Sequence, residues 1–383
     1  MPALTGIRIL AALAVYASHL GPPHNSPTWL KDLFESGYMG VTIFFTLSGF
    51  VLSVNYFERL RHPNGKSLWE YSVARFARIY PLYILVLLFI VIHEHAFGGS
   101  ISGWWEHVLA IQTWNPSVYQ AYSLDGPEWS IGVEFFLYAC FPILVLILAK
   151  VRRPRSLLAV ALCIALTMIA LTLWFVLSGD ASLPWSDPSS AHRWLYRNPL
   201  PRLGDFTLGI IAARLYVSTG TAPGMARIGK LLIGLAACVI VGFMVWPSNL
   251  DSAWSWDAAY AIPSAVLIFG LAAAPNSIAA RMLSLPGMIL LGESSYALYL
   301  IHQPALAFFG ASLWTTNTSV TSVLYELFTL GAIICLAIGL HIAIERPARL
   351  YIRRLANPRR DSGKTASAKI TGQAPVADRA SLM

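Results

Sequence analysis

Apolar runs of roughly 17–25 residues recur along almost the whole chain, divided by short polar stretches. A run of that length crosses a bilayer's hydrocarbon core as a helix. The pattern predicts ten such spans, near 4–20, 38–56, 73–92, 129–149, 156–177, 200–217, 228–246, 256–274, 287–309 and 321–344. The fold expected is therefore all-α, a polytopic helical membrane protein. The first run lacks a basic leading segment and is long for a cleaved signal, so it reads as a retained helix. Residues 1–352 form one membrane domain. The remainder, 353–383, has few large apolar residues and reads as a basic, disordered tail lying on the anionic inner leaflet. The loop 93–128 is long and rich in Trp and Tyr, with a short interfacial helix predicted over Trp104–Trp114. It reads equally as a lid or acceptor surface and as an aromatic belt.

Charge then sets the topology. Only 12% of residues are charged, about half of what a soluble chain carries. Of the 27 Lys and Arg, 22 fall in loops 57–72, 150–155, 218–227 and 275–286, at the span ends beside them, or in the tail. The stretch His93–Pro127 has none. The positive-inside rule places both termini in the cytoplasm, and a plasma-membrane location follows as the expectation. The net charge of +8 is thus a topology signal, and nucleic acid is not an expected partner. Membrane lipids are; a homo-oligomer is neither required nor excluded. Cys140, Cys163, Cys238 and Cys335 lie inside apolar spans without metal-ligand spacing and read as small buried apolar residues. No metal site is expected, His93-Glu94-His95 included.

Two ionisable residues, Arg8 and His19, interrupt the first span. Eleven helical positions turn about 1100°, close to three full turns, so both face one way, about 16 Å apart along the axis. Groups of this kind inside a membrane are costly and mark interior sites. His19 is the candidate general base, with Glu134 of the fourth span a carboxylate that would orient it. By counted depth His19, Glu134, His302, Arg202 and Asp205 share one outer layer. Arg75 and Arg78 stand three apart at the inner start of the third span, where two guanidinium forks suit phosphate groups. Ser48 and Gly49, mid-span in the second helix, permit close helix approach or a narrow passage. Glu345 reads as an ion-pair anchor.

The ordered set Arg8-x10-His19, Phe45-Thr46-Leu47-Ser48-Gly49-Phe50, Arg75-Phe76-Ala77-Arg78-Ile79-Tyr80-Pro81, Trp129-Ser130-Ile131-Gly132-Val133-Glu134, Arg202-x3-Phe206-x2-Gly209 and Ser295-Tyr296-Ala297-Leu298-Tyr299-Leu300-Ile301-His302 resembles the acyltransferase-3 family of integral-membrane O-acyltransferases. The resemblance implies transfer of an acyl group, acetyl or short-chain, from cytosolic acyl-CoA to a hydroxyl on a sugar-containing acceptor. It makes His19 the base, supported by Arg8 and Glu134. Arg75 and Arg78, with Ser48 beside the passage, would hold CoA. Arg202, His302, Tyr299 and Trp129 would line the acceptor. The compact build also resembles members that acylate glycosylated macrolides, against envelope glycans as acceptors. The fused extracytoplasmic esterase-like domain of some relatives is not expected here. A transporter or flippase for a small glycoside or lipid-linked sugar is the rival, weakened by the lack of repeats and by the paired inner arginines.

Overall fold

The structure, a computed structural model, describes residues 1–96, 103–124, 126–246, 252–310 and 313–356. Among the described residues every regular element is helical. α1 (Pro2–Leu20) opens with proline at its start and closes at Gly21, whose φ of 82° suits glycine. α2 (Thr28–Glu35) leads into α3 (Gly40–Leu60) and the long α4 (Gly65–Ala96). The aromatic loop forms the short helices α5 (Trp104–Val108) and α6 (Val118–Ala121), with a 3-10 turn at Gln112–Trp114 between them. α7 (Trp129–Leu148), α8 (Pro154–Ser178), α9 (Pro199–Thr219) and α10 (Met225–Met244) follow. α11 (Ala253–Trp256), α12 (Ala258–Ala273), α13 (Ile278–Leu283) and α14 (Pro286–Glu293) come next, then α15 (Ser295–Phe309), α16 (Leu313–Thr316), α17 (Val320–Leu340) and α18 (Arg346–Ala356). A π-helical turn, His192–Arg197, precedes α9, and another, His341–Glu345, joins α17 to α18.

Among the described residues eight helices are long and apolar enough to cross a membrane. The sixth and ninth expected spans are helical too, but differ from that type. α9 carries Arg202, Asp205 and Arg214, and its buried residues face other helices. Residues 287–309 are divided at Ser294 between α14 and α15. There the Ser294 hydroxyl donates to Leu290 O (2.8 Å) and the Ser295 hydroxyl to Gly292 O (2.8 Å), and such back-bonding bends a helix.

Burial sorts the helices into layers. α3 and α12 are central, whereas only 17% of the apolar window of α8 is covered by protein. Its Leu158, Leu162, Leu166 and Trp174 are exposed, as a lipid-facing surface requires. Cys163, Cys238 and Cys335 are exposed on these outer faces and Cys140 is half-buried, so the apolar surroundings of three of them are lipid and not the expected protein core. α3 and α9 cross at backbone distance. A Cβ on Gly49 would stand 2.0 Å from Phe206 O, and one on Gly209 would stand 1.9 Å from Thr46 O. The crossing therefore explains Gly49 as a packing residue. Of the expected tail, 353–356 complete α18, and 357–383 lie outside the described residues.

The aromatic loop is clamped over the bundle. Arg197 Nη1 and Nη2 donate to Asn115 O (2.7 Å) and Pro116 O (3.1 Å), and Thr113 Oγ1 donates to Arg197 O (2.7 Å). From α4, Tyr83 OH donates to His107 O at 2.6 Å and Tyr80 OH to Val108 O at 3.1 Å. The predicted helix over Trp104–Trp114 is thus α5 followed by the 3-10 turn.

Candidate active site

Among the described residues, two cavities run along one face of α1. The first, about 110 Å³, takes Met1, Leu4, Thr5 and Arg8; the second, about 1430 Å³, takes Val15, Ser18 and His19. These positions recur at helical spacing, so the face that carries Arg8 and His19 lines one cavity at each end of the helix. Val41 and Tyr299 belong to both cavities and form the wall they share.

The first cavity is basic. Arg8, Arg75, Arg78 and Arg349 line it against Glu134, Glu293 and Glu345. Glu345 Oε2 lies 2.9 Å from His341 Nδ1. Arg75 lies over the rings of Tyr56 (5.3 Å) and Tyr138 (5.7 Å), and its Nη2 donates to Tyr56 OH at 3.4 Å. Its buried Nε has no partner, and neither has that of Arg349. Buried donors of this type are satisfied in nearly all proteins, so these two point to an anionic occupant. Arg349 was not singled out from the sequence. The available signal was the spacing Arg346, Arg349, Arg353 on α18. Glu134 accepts from Ser48 Oγ at 3.1 Å and from Tyr138 OH. It therefore lines the basic cavity, whereas His19 lines the other.

The partner of His19 is His302. His19 Nδ1 lies 3.2 Å from His302 Nε2 and 2.9 Å from Val15 O, while His302 Nδ1 lies 2.7 Å from Tyr299 O. A carbonyl only accepts, so His302 Nδ1 carries the proton and its neutral ring presents a lone pair at Nε2. His19 Nδ1 must then donate, which leaves His19 Nε2 unprotonated. His19 is exposed to the second cavity, whereas His302 is 1% exposed and lines neither cavity. Tyr299 continues the chain, with its OH 2.7 Å from Ser130 Oγ one turn before Glu134.

The second cavity is aromatic. Trp129, Tyr196, His192, Trp185, Trp256 and Tyr122 line it. Trp129 packs on Tyr196 at 4.7 Å. Burial, with the charges of Arg197 and Arg202 behind it, pushes the His192 imidazole down to about 4. Arg202 lines neither cavity. Its Nε donates to Tyr196 O (2.8 Å), Nη1 to Asp205 Oδ2 (2.9 Å) and Nη2 to Trp256 O, with no exposure. In this structure it braces the aromatic wall and does not reach acceptor space. Among the described residues no group of three His, Cys, Asp or Glu is placed to hold a metal ion.

A family model described as an acyltransferase domain matches residues 1–342. The chain belongs to the acyltransferase-3 family. Within this family it is 30% identical to Acyltransferase MdmB of Streptomyces mycarofaciens, over 99% of this chain and 98% of that protein. It is 23% identical to peptidoglycan O-acetyltransferase OatA of Listeria monocytogenes, over 80% of this chain and 49% of the relative. With O-acetyltransferase OatA of Staphylococcus aureus it shares 22% identity, over 80% of this chain and 51% of that one. The chain thus spans about half the length of the OatA proteins and nearly all of MdmB. No solved structure matches it. The acyltransferase match contains the basic residues Arg8, Arg75 and Arg78 and both histidines, and stops short of Glu345 and Arg349.

Proposed function

We propose that this acyltransferase-3 member moves an acetyl or short-chain acyl group from cytosolic acyl-CoA to a hydroxyl of a sugar-containing acceptor, with His19 as general base. The observation that carries the reading is a cavity-exposed His19 whose Nδ1 is held by His302, in an aromatic cavity that shares Val41 and Tyr299 with a basic one. Arg75, Arg78 and Arg349 supply donors for CoA phosphates, and their cytoplasmic side follows from the positive-inside pattern. Arg8 stands about 16 Å from His19 along the helix axis, too far to share the reacting carbon. It serves the arm of the donor instead, and the thioester reaches His19 past Val41 and Tyr299.

The acceptor occupies the aromatic cavity. Tyr and Trp faces suit sugar rings, and the exposed apolar residues Leu85, Phe89 and Phe308 on its margin suit an amphipathic body. This favours a glycosylated macrolide over a wholly polar envelope glycan. In the reaction His19 Nε2 takes the acceptor hydroxyl's proton as its oxygen attacks the thioester carbonyl. The C–S bond breaks, and the CoA sulfur leaves with the proton from His19.

The test supplies labelled acetyl-CoA and a panel of acceptors to purified protein in nanodiscs, including a glycosylated macrolide and a glycan. A labelled ester is expected, absent in His19→Ala although CoA still binds. Joint replacement of Arg75 and Arg78 by alanine should weaken CoA binding. Equal loss of CoA binding in both variants would refute the division of roles. Folded protein that neither binds CoA nor forms product, but carries a glycoside across the bilayer, would favour the transporter.

A further inference from the structure

The aromatic loop holds a chain of nucleophile, imidazole and carboxylate that the proposed acyl transfer does not use. Ser123 Oγ lies 3.0 Å from His107 Nε2, and His107 Nδ1 lies 3.1 Å from Glu128 Oε2. His107 and Glu128 have no exposure, whereas Ser123 is exposed. The hydroxyl thus stands at the surface, the ring behind it and the carboxylate beneath.

Three separate pieces of chain bring these groups together. His107 comes from α5, Ser123 from the bend after α6, and Glu128 from the 3-10 turn that starts α7. Their positions are braced. His107 O accepts from Tyr83 OH at 2.6 Å, and Glu128 O accepts from Gln112 Nε2 at 2.9 Å. Glu128 Oε1 is buried without a partner, so the carboxylate has only the imidazole to face on its Oε2 side.

The proton positions suit a base. Of the two groups at Nε2 the Ser123 hydroxyl, at 3.0 Å, is nearer than the Gln120 carbonyl, at 3.3 Å; in the tautomer that donates Nδ1–H to an ionised Glu128, the Nε2 lone pair faces that hydroxyl. Gln120 O stands 3.3 Å from the same Nε2. That carbonyl has no proton to give, and it gains a hydrogen bond once Nε2 is protonated, which stabilises the imidazolium. Burial holds the His107 pKa below its ordinary value, against smaller raising effects of the Gln120 carbonyl and Glu106, which favours the neutral ring. A nucleophile bonded to a base that a third group orients is the arrangement that activates serine.

We propose that Ser123, His107 and Glu128 form a second catalytic site, a serine esterase centre that accepts short-chain carboxylic esters at the loop surface. The neighbours of Ser123, Tyr122 and Leu124, line the aromatic cavity, which favours esters of aromatic or apolar alcohols. Ser123 Oγ attacks the ester carbonyl as its proton passes to His107 Nε2. The ester C–O bond breaks, and the alcohol leaves with that proton. Water then gives a proton to His107 and its oxygen to the acyl-serine, releasing the carboxylic acid and restoring the hydroxyl.

The experiment uses the full chain in nanodiscs without CoA, so it reads nothing of acyl transfer. A fluorophosphonate probe is added, the labelled peptide is mapped, and hydrolysis of p-nitrophenyl acetate is followed beside it. Label on Ser123 is expected, together with hydrolysis that falls about 100-fold in Ser123→Ala and in Glu128→Gln. The thermal transition of each variant is recorded, and only variants that keep it are compared. Ser123→Ala removes a surface hydroxyl and is the variant expected to keep its fold. Folded wild-type protein whose Ser123 stays unlabelled, or hydrolysis undiminished in Ser123→Ala, would overturn the proposal and leave the three residues as a brace of the loop.

Discussion

Acidification should loosen the aromatic wall through His192. Its ring meets Trp256 edge-on at 5.3 Å and Tyr196 at 5.3 Å, and its buried Nδ1 has no partner. The native imidazole titrates at about 4 rather than 6.5, because burial and then the nearby Arg197 and Arg202 oppose its charge. Between those values the unfolded chain binds the extra proton. The stability His192 contributes is therefore complete above 6.5 and is lost as pH falls toward 4. A separation of about 2.5 units is worth about 3 kcal/mol in full, of which about 2 kcal/mol falls between pH 7 and pH 5. The ring is partly exposed, so screening by solvent reduces this toward about 1 kcal/mol. For a chain of 383 residues that is about 1 °C of apparent Tm. The assay is thermal unfolding in detergent at fixed scan rate, at pH 7 and pH 5, for wild type and His192→Phe. The buried His107 shifts in the same direction, so the quantity that isolates His192 is the difference between the two proteins. An equal fall in Tm on acidification in both would refute the reasoning.

Three further outcomes follow from the geometry. Gly209→Val should destabilise the protein by about 1–3 kcal/mol or more, because its Cβ would sit 1.9 Å from Thr46 O; an unchanged thermal transition would contradict the α3–α9 crossing. Arg202→Met leaves Asp205 as an unpaired buried charge and should cost about 3–5 kcal/mol, with partial recovery in Arg202→Met/Asp205→Leu; a single variant as stable as wild type would contradict its bracing role. His302→Phe should lower kcat of the proposed transfer by about 100-fold with CoA affinity kept, and His302→Gln, whose amide oxygen accepts from His19 Nδ1, should restore part of it; a change in KM alone would contradict its positioning role.

Along α1 the site was readable, because one helix repeats every 3.6 residues and Arg8 and His19 obey that repeat. Arg75 and Arg78 were readable for the same reason. What joins helices was not. His19 and His302 lie 283 residues apart, and only packing of α1 on α15 makes them partners. Glu134 shares their depth in the sequence count, yet its rotation about α7 delivers it to Ser48 and Tyr138. Arg202 read as an open ligand because a charge inside an apolar run marks a site. Two of its partners are the carbonyls of Tyr196 and Trp256, which no side-chain pattern announces. The division of 287–309 was visible in the Ser294-Ser295 pair, but a hydropathy sum averages it away.

The wall that Val41 and Tyr299 share has a consequence for the cell as well as for the reaction. A bilayer hollowed from two ends is only as tight as whatever separates the hollows. Here Val41 and Tyr299 border both hollows, with Phe44 against the Tyr299 ring at 5.8 Å. A wider opening would admit a thioester more easily, and it would also let protons run down the membrane potential. The residues at 41 and 299 should then set electrical leak as well as turnover, and single-channel conductance of variants at these positions would read it directly.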